Sequence, residues 1–352
     1  MTFSINGKPI GPGNPMFIIA EIGVNHNGSV EKAKQLIDHA KEAGANAVKF
    51  QAYHTESLVT DQSELVQYQK SGGGYSSQKE MLLHYQLSKS QFEELKKHCE
   101  QQEILFLATP FDLQSADMLE DLGVEAYKIG SGDITFYPLL KKLSTFHKPV
   151  ILSSGMTTIE EIEKAIQLMG QTPIALLHCT SAYPTPPEDV HLNVIHLLKK
   201  YVSCPIGLSD HTSSTEVALA ANALGYTILE KHFTLDRHLP GPDHKASITP
   251  EELKTLIKQI RIVEKAMGEE KKAIQPSEVG TKPLVRRGIY LNIDKKAGSV
   301  VEEGDLIYLR PEHTLSAADF ERVIGKRIAR DMKKGEPLQW GDFEVTLDGD
   351  GS

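Results

Sequence analysis

Between residues 17 and 267 the chain alternates between two hydrophobic periods. Short apolar runs lacking polar alternation are FIIAEIG (17–23), NAVKFQAY (46–53), ILFLATP (104–110), AYKIGS (126–131), PVILSSG (149–155), PIALLHC (173–179), PIGLSD (205–210) and YTILE (226–230). Each reads as a fully buried strand. Between them lie longer segments with helical spacing and start and stop signals. Ser29 caps a helix through Ala43 that Gly44 closes, and Ser88 with Gln91 forms a capping box for a helix over 90–102. Thr157 with Glu160 is expected to cap 158–169, Ser213 with Glu216 to cap the helix before Gly225, and Thr249 with Glu252 to start a helix reaching Met267. Eight strands, each but the last followed by a helix before the next, with one closing helix, predict a (β/α)8 TIM barrel over residues 1–268. The main alternative, an open doubly wound sheet, carries GxGxxG after its first strand, and none follows FIIAEIG.

The rhythm breaks twice. Residues 54–87 are long for a connection between strand and helix; they hold SGGGYS (71–76) and the amphipathic SQKEMLLHY, which suits a binding loop or lid. After Met267 the texture becomes charged and aperiodic, so 269–283 reads as a linker. Residues 284–345 hold short apolar runs bounded by glycines and one small helix from Ser316, a compact second domain too small for another catalytic unit. The last residues, 346–352, read as a flexible tail.

Composition narrows the function classes. An apolar share of 40% and a charged share of 24% describe an ordinary globular protein. The net charge of −9, without a basic run, argues against nucleic acid as a partner, and an anionic substrate needs a local lysine cluster. The polar N-terminus is neither signal peptide nor membrane anchor, and no apolar run is long enough to span a bilayer. Cys99, Cys179 and Cys204 show no CxxC spacing and read as structural thiols in a reducing cytoplasm.

Chemistry in such barrels gathers at the C-terminal strand ends. Those ends carry Glu21; Lys49 and Gln51; Thr109; Lys128 and Ser131; Ser153 and Ser154; His178, Ser181 and Tyr183; Ser209, Asp210 and His211; and Glu230, Lys231 and His232. Each has a bland reading: a strand lysine usually snorkels, a serine caps a helix, and His178 can be a hydrogen-bonded core histidine. Two lysines inside apolar runs, VKF and YKI, are harder to dismiss, because an unpaired buried ammonium is costly. Lysines and hydroxyls converging on one rim describe a site for phosphate and carboxylate. His211 and His232 end neighbouring parallel strands, a pair suited to a catalytic divalent metal with open positions. Glu21 is the carboxylate for acid/base work opposite them.

Taken together, AEIGVNHNGS, AVKFQ, ATPFD, YKIGSGD, ILSSGM, HCTSAYPTP, GLSDHT and EKHFTLDRHLPGPDH, with LRPEHT and IGKRIARDM in the small domain, closely resemble the sialic acid (nonulosonate) synthase family, which is N-acetylneuraminate synthase-like. The match spans nearly the whole chain. The small domain is similar to the antifreeze-like (SAF) module of these enzymes. The resemblance implies condensation of phosphoenolpyruvate with an N-acylated amino sugar, N-acetylmannosamine first and a 6-deoxy-diacetamido sugar of the legionaminic or pseudaminic type as the alternative. It implies phosphoenolpyruvate contacts from Lys49, Thr109, Lys128, Ser131, Ser153, Ser181 and Ser209, and sugar contacts from Gln51, Asp133, Tyr183, Asp243 and Arg310. It further implies catalytic roles for Glu21, Lys128, His211 and His232, and a divalent metal on His211 and His232, Mn2+ with Mg2+ or Co2+ as alternatives. A domain-swapped homodimer follows from Arg310, which in the family serves the partner's barrel.

Three positions depart from the family pattern: Asp133 where many members carry glutamate, Ser181 where asparagine is common, and SGGGYSS, which lacks a sugar-contacting asparagine. They bear on the sugar and leave the reaction class alone. Rival readings are a condensing barrel acting on a phosphorylated sugar and a catalytically inert carbohydrate- or ice-binding protein.

Overall fold

The computed structural model describes residues 3–66, 69 and 74–345. Two compact units divide the chain between Gly268 and Glu269. In the first, eight parallel strands close into a barrel: β3 (Phe17–Gly23), β4 (Ala47–Ala52), β5 (Leu105–Pro110), β6 (Tyr127–Ile129), β7 (Val150–Ser153), β8 (Ile174–Cys179), β9 (Ile206–Asp210) and β10 (Ile228–His232), the last pairing with the first. The expected fold class holds. A hairpin, β1 (Phe3–Ile5) and β2 (Lys8–Ile10), precedes the barrel. Its turn places Asn6 and Gly7 at φ 47° and 72°, both left-handed, as a two-residue hairpin turn requires.

The period of two sorts each strand into two faces. Outward residues such as Ile18, Val48, Phe106, Leu152 and Leu208 join the large core beneath the helices. Inward residues Phe17, Ile19, Ala47, Leu105, Leu107, Ala126, Ile151, Ala175, Leu177 and Ile228 form a separate core, joined by Ile5 and Ile10 of the hairpin. The hairpin thus contributes to the barrel's inner core, a role that its Gly- and Pro-rich composition concealed.

Local signals set most helix ends. Ser29, Ser88 and Thr249 cap as expected. Two caps differ. Thr158 with Glu161 forms the box, because the Thr157 hydroxyl donates to the Ser154 carbonyl instead. The helix Glu216–Ala223 starts after Thr215 without a side-chain cap, and Ser213 lies outside it. The helical-period segment 188–201 before β9 forms a turn at Pro187–Asp189 followed by the helix Val194–Tyr201.

In the segment 54–87, a short helix (Thr55–Leu58) and a longer one (Gln78–Tyr85) lie against each other, with Lys79 Nζ 2.8 Å from Glu56 and 2.6 Å from Asp61. Residues 71–73 of SGGGYS and the tail 346–352 fall outside the described residues. The second unit pairs Gly288–Leu291 antiparallel with Leu306–Leu309 over its own core, which includes Ile289, Leu291, Val301, Leu315, Ile328 and Leu338. Among the described residues no helix is long and apolar enough to cross a membrane.

One glycine is demanded by space alone. A Cβ on Gly207 would lie 2.5 Å from Leu177 Cδ2 and 2.7 Å from the Ile228 carbonyl. The carbonyl belongs to the adjacent strand and cannot swing away. Gly207→Ala is expected to destabilise the barrel by about 1–3 kcal/mol, read as a lower urea midpoint, whereas an unchanged midpoint would contradict this packing.

Candidate active site

Above the apolar inner layer, the next inward position on every barrel strand carries a polar group or thiol: Glu21, Lys49, Thr109, Lys128, Ser153, Cys179, Ser209 and Glu230. Together they line a cavity of about 530 Å³ at the C-terminal strand ends. Gln51, Ser131, Ser181, Tyr183, His211, His232 and Asp243 border the same cavity. Of the barrel residues expected in the site, Asp133 does not line it. Asp133 sits in the turn Ser131–Asp133 after β6, and Arg310 is exposed in the second unit.

Four charges occupy the barrel mouth, all almost fully buried. Lys49 Nζ lies 2.8 Å from Glu21 Oε2 and 3.5 Å from Glu230 Oε1, while Lys128 Nζ lies 3.5 Å from Glu230 Oε2. Lys49 donates to Thr109 Oγ1 at 3.1 Å, and Lys128 donates to Ser153 Oγ at 2.7 Å and to the Ile129 carbonyl at 2.9 Å. Glu21 Oε2 and Glu230 Oε2 lie outside hydrogen-bonding alignment with these ammonium groups, so an acceptor in each carboxylate remains unsatisfied. Two positive and two negative charges balance, which offsets part of the cost of burying them.

The two carboxylates differ in kind. Burial raises Glu21 above the ordinary carboxylate range despite Lys49 beside it. Glu230 is buried as well, but Lys128 and Lys49 together hold it well below that range. Environments that push paired acids apart in this way divide them into proton acceptor and permanent anion. Burial lowers Lys128, whereas at Lys49 it is outweighed by Glu21 and Glu230, which keep that ammonium charged.

His211 and His232 face each other with ring centroids 5.3 Å apart, and Tyr183 lies against His211 at 4.2 Å. His211 Nδ1 is 3.0 Å from the Thr180 carbonyl, which fixes the proton there and leaves Nε2 as the electron-pair donor, 3.4 Å from Ser209 Oγ. His232 Nδ1 is buried without a hydrogen-bond partner, and Asp243 Oδ2 lies 3.8 Å away. Burial drives His232 well below the ordinary imidazole range, so the ring is neutral. An orphaned neutral nitrogen beside a second imidazole fits a divalent cation, with the remaining coordination positions open. Among the described residues no group of three or more acidic, histidine or cysteine side chains forms a metal cluster.

A model of the NeuB family matches residues 36–272, and one of the SAF domain matches residues 286–344. The chain belongs to the NeuB family. It is 41% identical over 328 residues to the N,N'-diacetyllegionaminic acid synthase of Campylobacter jejuni, covering 92% of this chain and 98% of that one. It is 40% identical over 350 residues to the N,N'-diacetyllegionaminic acid synthase of Legionella pneumophila, covering 97% and 98%. A crystal structure of the N-acetylneuraminic acid synthetase from Leptospira borgpetersenii, in complex with citrate, superposes with a TM-score of 0.73 at 37% identity over 80% of this chain and 95% of that one. Membership in a family of synthases makes the chain an enzyme, and the NeuB barrel mouth is its candidate active site.

Several readings of single residues resolve within this NeuB frame. Ser153 is a lysine partner, whereas Ser154 donates to the Leu177 carbonyl. His178 bonds the Val190 carbonyl at 2.6 Å and is a core histidine. Cys179 is buried as expected, yet it also lines the cavity, with Sγ 3.9 Å from His211 Nδ1. Glu230, read only as a strand-end residue, bridges the two lysines. Both follow from continuing the inward period by one step, from Leu177 to Cys179 and from Ile228 to Glu230.

Burial, with Glu21 nearby, raises Asp243 to about 7. Its stabilising contribution is therefore complete below about pH 4, the unfolded value, and is lost as pH rises through about 7. In chelated protein, Asp243→Asn is expected to gain Tm relative to the parent as pH rises from 4 to 8. A difference that stays constant with pH would contradict the assignment.

Proposed function

We propose that this protein condenses phosphoenolpyruvate with an N-acylated amino sugar and water to give a nine-carbon 2-keto-3-deoxy acid and phosphate. The observation that carries this reading is one cavity holding Lys49, Lys128 and a set of hydroxyls beside the imidazole pair His211 and His232. The two ammonium groups, with Thr109, Ser131, Ser153, Ser181 and Ser209, suit a phosphate and a carboxylate on one small molecule. When that anion enters, Lys49 and Lys128 exchange part of their attraction to Glu21 and Glu230 for the ligand. The carboxylates then lie near the place where positive charge develops.

A divalent ion on His211 and His232, Mn2+ with Mg2+ or Co2+ as alternatives, supplies Lewis-acid polarisation of the open-chain sugar aldehyde. Carbon 3 of phosphoenolpyruvate attacks the aldehyde carbon, and carbon 2 becomes cationic. The anionic Glu230 stabilises that charge. Glu21 accepts a proton from the water that adds at carbon 2. Asp243, titrating near neutrality, offers a proton to the former aldehyde oxygen. The tetrahedral adduct then expels phosphate through C–O cleavage. Arg310 and a homodimer stay in the proposal as the source of a further sugar contact.

For the sugar, the wall of the cavity is informative. Leu58, Val59, Val66, Leu82, Phe111 and Met156 border it. An apolar wall favours a methyl group over a hydroxyl that it cannot bond. With the identity to two legionaminic acid synthases, this favours 2,4-diacetamido-2,4,6-trideoxymannose over N-acetylmannosamine.

Offered both sugars in competition, the enzyme is expected to prefer the trideoxy sugar by about tenfold or more in kcat/KM, scored by product mass spectrometry. The opposite preference would assign N-acetylmannosamine. Lys128→Ala is expected to raise the KM for phosphoenolpyruvate by about 10- to 100-fold while leaving Mn2+ affinity unchanged. A loss of Mn2+ affinity larger than the loss in phosphoenolpyruvate handling would contradict the division of the site.

A further inference from the structure

The metal reading leaves unexplained an ion pair that the mechanism does not use. Asp210 and Lys231 are register partners on β9 and β10, one residue before His211 and one before His232. By the alternation of the strands they point away from the cavity, into the buried layer between strands and helices. Lys231 Nζ lies 2.8 Å from Asp210 Oδ2, and the two side chains are 1% and 0% exposed. A buried pair of this kind is commonly no more stabilising than apolar residues of the same size. Stability therefore gives a weak reason for it, and its bonds suggest another.

Lys231 also donates to the Thr212 carbonyl at 2.8 Å. Asp210 Oδ1 accepts from the Thr212 amide at 2.9 Å and from its hydroxyl at 2.8 Å. Both sequence neighbours of His211 are thus bonded to the residue that precedes His232. The backbone carrying one imidazole is tied to the strand carrying the other by charge-assisted bonds in a dry layer. Such bonds are short, directional and not weakened by water.

We infer that the Asp210–Lys231–Thr212 brace sets the separation of His211 and His232 and thereby the affinity of the site for its divalent ion. These are positioning residues, since none of them touches the cavity. The inference rests on the metal reading proposed above and adds to it the device that holds the two ligands in register. Supporting groups of this kind typically account for about 10- to 100-fold in metal affinity.

The test is Mn2+ titration of the full-length protein by calorimetry, with phosphoenolpyruvate affinity and Tm measured alongside. The neutral double variant Asp210→Asn with Lys231→Met removes the charges without stranding either one. It is expected to melt cooperatively, to bind phosphoenolpyruvate within about twofold of the parent, and to bind Mn2+ about 10- to 100-fold more weakly. Lys231→Arg, which keeps the donors, is expected to recover most of the affinity. Mn2+ affinity within about twofold of the parent in the folded double variant overturns the brace, as does an equal loss of phosphoenolpyruvate affinity, which marks general damage. Should the double variant not fold, Asp210→Asn alone decides by the same readouts: selective weakening of Mn2+ supports the brace, and an unchanged affinity overturns it. A parent protein whose Mn2+ binding survives His211→Ala overturns the metal reading itself, an outcome visible before any brace variant is made.

Discussion

Everything at the mouth of this barrel depends on balancing four buried charges. Their contacts run Glu21–Lys49–Glu230–Lys128, alternating in sign along that path, and none is exposed enough to stand alone. Remove one and the remaining three carry an uncompensated buried charge, a loss far larger than that of a surface pair. The ring is neutral in sum, and although Lys49 lies 2.8 Å from Glu21, both ammonium groups approach Glu230 loosely, at 3.5 Å on each side. That looseness matters for function. A fully satisfied quartet would resist a ligand; this one keeps an unsatisfied acceptor atom in each carboxylate.

The rest of the fold serves that ring. Below it the inward positions are apolar, and the hairpin residues Ile5 and Ile10 belong to the same inner core. Behind it the outward faces and the helices form the large core that fixes strand tilt and register. Beside it, His211 and His232 rise one step higher on β9 and β10, so the anion half and the imidazole half of the cavity share two strands. A molecule spanning both halves meets charge at one end and electron-pair donors at the other, with the apolar wall from residues 58–66 beyond.

Much of this could be read from the chain, because the signals are local. An apolar run bounded by a capping residue and a glycine means the same in any context, and eight such runs left few architectures. The strand-end lysines and histidines were legible for the same reason. What escaped reading depended on neighbours in space. The Asn6–Gly7 turn was in plain view, but Ile5 and Ile10 acquire meaning only from the inner core they join. Thr157 and Thr158 are equivalent in sequence, and only the Ser154 carbonyl decides which of them caps. Glu230 reads as one polar residue among several until Lys49 and Lys128 are seen on either side. Asp210 and Lys231 read as two strand-end residues among several until their register makes them partners.

The central claim is that this ring and this histidine pair carry out a condensation in which phosphate leaves with the oxygen that bridged it to carbon 2. The direct measurement is turnover of phosphoenolpyruvate labelled with 18O at that bridging position, in the presence of Mn2+ and the trideoxy sugar. The account predicts that the label appears in released phosphate and is absent from the keto acid. Label retained in the keto acid, or phosphate released without any sugar present, would contradict it.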